Sequence, residues 1–150
     1  MVCEQLTDMM GEFNLFHIVA SAVAQQVFAM AWFGIIVNHL DQYWTAADKG
    51  VRRFEHVVHY YPAVMVAAGN FLCCILRSAA VLVVANLLNA KTLEDYERVA
   101  LVVVGLGLVR VHRHFACQRP VQLLITETGF ELLAALLSSF VLYGMQLYQM

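Results

Sequence analysis

The chain has 150 residues, 61% of them hydrophobic and only 13% charged, whereas a soluble domain carries roughly a quarter charged residues. That composition excludes an ordinary soluble domain and points to a membrane protein. The net charge of -2 argues against a nucleic-acid partner, which attracts concentrated Lys and Arg.

About 20 apolar residues cross a bilayer as a helix, and four apolar runs of that order can be read along the chain. They predict spanning helices at about 16–40, 63–90, 93–117 and 121–147. The expected fold class is all-α: an integral membrane four-helix bundle, one domain over residues 1–150, with an interfacial amphipathic segment between helices one and two.

Residues 1–14, "MVCEQLTDMMGEFN", hold three acids and no Lys or Arg. That is the reverse of a signal n-region or an Arg-rich transit peptide, so the first helix is expected to stay attached. This helix carries small residues at Ala20, Ser21, Ala24 and Ala31, spaced for close approach of another helix. Gln25 and Gln26 lie inside it, and an amide facing lipid would be unsatisfied. At least one of the two must face protein or water.

Residues 41–62 combine Lys49, Arg52 and Arg53 with Tyr43, Trp44, Phe54, Tyr60 and Tyr61, a mixture suited to headgroup level. A surface helix is expected from about residue 46. Pro62 then marks the start of the second spanning helix, because a proline in a first turn forgoes only an N–H that would be unpaired anyway. Within that helix a single arginine, Arg77, interrupts an apolar run.

Thr92, followed three residues later by Asp95, reads as a capping box opening the third helix. Its strictly apolar part, 99–109, is short, so Arg110 and Arg113 must snorkel to the interface or the helix must be shielded by its neighbours. "GLG" at 105–107 reads as a close-packing contact, with local looseness of the helix as the other reading. Pro120 or Val121 begins the last helix, which carries Glu127 and Glu131 one turn apart on one face.

Lys49, Arg52, Arg53, Arg110, Arg113 and Arg119 all fall in or beside two loops, and the positive-inside tendency turns both to the cytoplasm or the mitochondrial matrix. Both termini are then expected on the opposite side, and helices two and four run parallel. At about 1.5 Å per residue, Arg77 lies about 21 Å and Glu131 about 15 Å along their helices. The Arg77 side chain leans toward its N-terminus, which predicts an intramembrane ion pair of Arg77 with Glu131. Glu127, nearer the surface, is expected to meet Arg110, Arg113 or water. Arg52, Arg53, Arg110 and Arg113 are candidates for lipid headgroups.

Cys3, Cys73, Cys74 and Cys117 show no metal-type spacing and read as packing residues. His56, His59, His112 and His114 lie in the two basic loops, and these residue types are able to ligate zinc or copper; the spacing itself is common by chance. His17 and His39 sit at opposite ends of helix one, which leaves no pair for a haem. No catalytic set or phosphate loop is present, so no enzyme and no cofactor are expected, apart from a bound cardiolipin-like phospholipid.

Trp32-Phe33-Gly34 near the end of helix one, Trp44 beyond it, and "CQRPVQLLITETGFELLAALLSSFVLYGM" at 117–145 together resemble the small four-helix membrane proteins of domain of unknown function 1761. Arg119, Pro120, Gly129 and Phe130 match that family's last-helix pattern. The proline that the family carries after helix one is missing here. The resemblance implies four helices and no activity.

Two functions are expected on these grounds. The first is a non-catalytic accessory or scaffold subunit whose partners are membrane lipids and other subunits of a larger complex, such as a respiratory complex or ATP synthase of the mitochondrial inner membrane. The alternative is a small oligomeric transporter or channel using Arg77 and Glu131. An intramembrane charge is by default functional, but the unwound helix pair of many transporters has no counterpart in a chain whose two prolines both precede helices.

Overall fold

The computed structural model describes residues 15–148; the N-terminal stretch with Cys3, and with it the expected placement of the termini, lies outside them. All regular structure in this range is helical. Helix α1, Leu15–Ala31, runs on into a π-helical segment, Trp32–Ile36. After a break at Val37 come α2, Asn38–Asp48, a 3-10 turn, Phe54–His56, and α3, Ala63–Leu87. The third span is divided into α4, Leu93–Gly107, and α5, Val109–Ala116; α6, Val121–Leu147, closes the fold. Four stretches are long and apolar enough to cross a membrane: Leu15–Ile36, Ala63–Leu87, Leu93–Ala116 and Val121–Leu147. The chain is a membrane-embedded helical bundle.

The ends of these helices follow from local chemistry. Asp95 donates its backbone N–H to Thr92 Oγ1 at 3.3 Å, and its carboxylate accepts from the Thr92 N–H at 3.0 Å. That is the expected capping box, and it satisfies donors the helix cannot use internally. Three helices stop in the same C-terminal motif, with a left-handed residue just past the end. Gly50 (φ +69) ends α2, Asn89 (φ 50) ends α3 and Gln118 (φ 53) ends α5. In each the following N–H reaches back to close the turn: Val51 to Ala46, Ala90 to Ala85 and Arg119 to His114.

These stops correct two expectations, and the glycines of the third span correct another. The surface helix occupies 38–48 and ends where it was expected to begin, because Gly50 supplies the left-handed stop. Helix α3 ends at Leu87 instead of near residue 90, because Asn89 takes the left-handed turn. "GLG" is not a packing contact: a Cβ built on Gly105 or Gly107 meets nothing within 4 Å. The third span breaks there, where the Leu108 N–H bonds back to Gly105 in a 3-10 turn.

Helix α6 is the axle, packed against α1, α3 and α4. Its buried Ala134, Ala135, Ser138 and Ser139 are small enough for backbones to approach, which in lipid replaces hydrophobic burial as the source of cohesion. At the capped end, Val81, Ala85, Ala90, Tyr96, Val99 and Leu142 form a dry cluster, and Tyr96 Oη donates to Gln146 Oε1 at 2.8 Å. Beyond Ala100 the third span splays away: from Leu101 to Arg113 no described side chain is buried.

Candidate functional site

The polar groups of three helices meet in the membrane interior. Helix α1 presents Ser21 and Gln25 on one face, one turn apart. Helix α3 presents Cys74, Arg77 and Ser78, and α6 presents Phe130, Glu131 and Ser138. An arginine is a donor only, so the Gln25 amide oxygen must turn toward it and accepts from Arg77 Nη1 at 3.0 Å. This fixes the other end of the amide: Nε2 donates to Ser78 Oγ at 2.8 Å. Ser78 Oγ in turn donates to Ser21 Oγ at 3.0 Å, and Ser21 Oγ lies 2.9 Å from Ser138 Oγ. Ser21, Gln25, Ser78 and Ser138 are all fully buried.

Arg77 also donates through Nη2 to Glu131 Oε2, and its guanidinium lies 5.6 Å from the centre of the Phe130 ring, within cation–π range. The expected ion pair therefore forms, and it includes an amide that the sequence reading assigned only to protein or water. Only 9% of the Arg77 side chain is exposed, against 31% for Glu131. Gln26 also faces protein, its Oε1 accepting from Asn70 Nδ2 at 2.7 Å.

Glu127 meets a different arginine from those expected. Its Oε1 accepts from Arg119 Nη2 at 3.3 Å, while Arg119 Nε reaches Asp48 Oδ2 at 3.5 Å. Arg119 lies only two residues ahead of α6, directly beside the docked end of α2, whereas Arg113 is exposed at the splayed α5. The Arg110 side chain lies outside the described residues. Asp41 stands in the same group, and its carboxyl is held above the usual carboxylate value, first by burial and then by the Glu127 charge, with Arg119 acting the other way.

Where α4 and α5 splay from α6, a cavity of about 530 Å³ opens. Arg113, Cys117 and Arg119 stand at its mouth, Glu127 along its wall and Arg77 with Glu131 at its inner end. Beyond Arg77 the face of α3 carries Val81 and Ala85 into the dry cluster with Val99 and Leu142. A second, wider cleft of about 1010 Å³ separates α1 from the start of α3, near His59, Tyr60 and Tyr61.

The candidate metal ligands do not come together. His59 packs on the Phe54 ring, and His114 is buried with Nε2 2.9 Å from the Pro120 carbonyl oxygen. Among the described residues no three His, Cys, Asp or Glu side chains are grouped for a metal ion. Arg52 and Arg53 are exposed in the 49–62 segment. The two segments that carried the family resemblance touch: Trp32 Nε1 donates to the Thr126 carbonyl at 3.3 Å, and its ring lies 3.5 Å from where a Cβ on Gly129 would be.

No protein-family model, curated protein or solved structure matches this chain. Its own geometry is therefore what bears on function.

Sequence reasoning missed the three serines as a network, reading Ser21 as a small packing residue and giving Ser78 and Ser138 no role. The available signal was their position in otherwise apolar helices, where a hydroxyl needs a partner.

Proposed function

We propose that this chain is a non-catalytic accessory or scaffold subunit of a larger membrane assembly. One observation carries the reading. Residues 63–69, the first two turns of α3, are exposed on every side, although their small members, Ala63, Ala67, Ala68 and Gly69, suit close helix packing. A Cβ on Gly69 would meet nothing within 4 Å. The cleft beside them gives a partner helix room to lie against both α1 and α3. The intramembrane charges support the same role, because Arg77 and Glu131, with the Gln25 amide, are used within the chain to fasten three helices.

The site of action that fits best is the mitochondrial inner membrane, in a respiratory complex or ATP synthase, with the basic loops in the matrix and the termini opposite. The transporter alternative rests on its own observation: Arg77, Glu127 and Glu131 line a cavity. That cavity ends against an apolar cluster, which favours binding over passage.

The test is gentle extraction from the native membrane followed by native gel and mass spectrometry, with wild-type chain and Gly69→Phe. Co-migration with stoichiometric partners, lost on Gly69→Phe while helicity is kept, supports the subunit. A wild-type chain that runs alone or as a small homo-oligomer overturns it. Flux through proteoliposomes that disappears in Glu131→Gln would replace it with the transporter.

A further inference from the structure

The cavity between α4–α5 and α6 is independent of the partner face on α3, and its charges do not balance at the mouth. At its inner end Arg77 is neutralised by Glu131, and along its wall Arg119 is shared between Glu127 and Asp48. Arg113 lines the mouth, is exposed, and has no acidic partner among the described residues. The opposite wall is apolar: Val103, Val104 and Leu108 of the splayed third span, with Leu124 across from them.

Among the described residues this cleft sets an unmatched cation, Arg113, at the basic interface and an apolar wall running inward, which complements an anionic amphiphile. We propose that it binds an acidic membrane phospholipid, with the phosphate at Arg113 and an acyl chain laid along Val103, Val104 and Leu108. The volume of about 530 Å³ falls in the range of ligand pockets, roughly 300–1,000 Å³. A phosphate gains a charge-assisted hydrogen bond from the guanidinium, and the negative surface potential of the leaflet concentrates acidic lipid there. The break at Leu108 leaves the wall free to adjust, since Gly105 and Gly107 have open space around them. This inference needs only the membrane-embedded bundle, so it stands or falls apart from the subunit reading.

The full chain is reconstituted in phosphatidylcholine nanodiscs containing phosphatidylglycerol with a photoactivatable acyl chain, and crosslinked peptides are mapped by mass spectrometry. Labelling is expected at 103–108 and near Leu124. Unlabelled phosphatidylglycerol should compete about tenfold better than phosphatidylcholine, whose choline cation offsets the phosphate charge and is repelled by Arg113, and inorganic phosphate should not compete. Arg113→Gln should erase that tenfold preference, and Gly107→Phe, which fills the cleft, should abolish the labelling. Equal competition by the two lipids, or labelling spread evenly over α1 and α3, overturns the proposal. Protection by inorganic phosphate overturns it in favour of a free-anion site, and labelling lost as chains self-associate overturns it in favour of a second copy. If either variant fails to fold, the wild-type competition decides alone.

Discussion

Gln25 on α1 and Arg77 on α3 hold each other in one orientation: the amide oxygen accepts from Nη1 at 3.0 Å, and this turns the amide nitrogen onto Ser78. The arginine thus sets the direction of the hydrogen-bond chain that it begins. Its charge is distributed over Gln25, Glu131 and the Phe130 ring, so each of α1, α3 and α6 loses a partner if it is removed.

Breaking this pair from one side should cost more than removing it altogether. Arg77→Leu removes the guanidinium that Glu131 meets across the helices, and Glu131→Leu leaves a guanidinium 9% exposed without its counter-charge. Removing one partner of a buried pair costs about 3–5 kcal/mol, with the lower part of that range expected for Arg77→Leu because Glu131 retains access to the cavity. The double variant Arg77→Leu/Glu131→Leu should recover much of the loss. Denaturation in mild detergent reads all three, and losses that simply add would show that the two residues act independently.

The two adjacent serines of α6 should respond in opposite ways. Ser138 Oγ is bonded to Ser21, while Ser139 Oγ is buried without a partner. An unmade hydrogen bond leaves a desolvation cost of about 1–3 kcal/mol, which Ser139→Ala removes. Ser138→Ala should instead destabilise, by about 0.6 kcal/mol for an average interhelical hydrogen bond in a membrane. Thermal unfolding of the two variants side by side gives the sign, and a loss in Ser139→Ala would mean that the hydroxyl has found a partner.

The Arg77–Glu131 pair was legible because it needs only helix rise, topology and the rule that a charge in lipid seeks its opposite. The capping box was legible because its two residues are local in sequence. The partner of Glu127 was not, because it depends on α2 folding back to place Asp48 beside Arg119. The boundaries of α2 and α3 turned on single left-handed residues, Gly50 and Asn89, and left-handed Asn is only an occasional choice. At "GLG" the close-packing reading failed, and the looser one fits the break, for a different reason. Glycine permits close packing and also permits a break, and only the neighbouring helix, here splayed away, decides between them.

The cluster of Asp41, Asp48, Glu127 and Arg119 carries a pH signature. Asp41 is held above its ordinary value of 3.8, chiefly by burial and next by Glu127. A raised carboxyl binds its proton more tightly in the folded state, so between the ordinary and the raised value the folded chain carries more protons than the unfolded one. Stability then falls as pH rises through that window, and the penalty is fully present above it. Below the ordinary value both states are protonated and the penalty is gone. Asp41→Asn should therefore stabilise the chain at neutral pH, and the gain should shrink to nothing as the pH is taken below the ordinary carboxylate value. Melting curves of wild type and Asp41→Asn across this range check the sign. A variant that is less stable at neutral pH would mean that the attraction of Arg119 outweighs burial, and that the Asp41 charge helps hold α2 to the bundle.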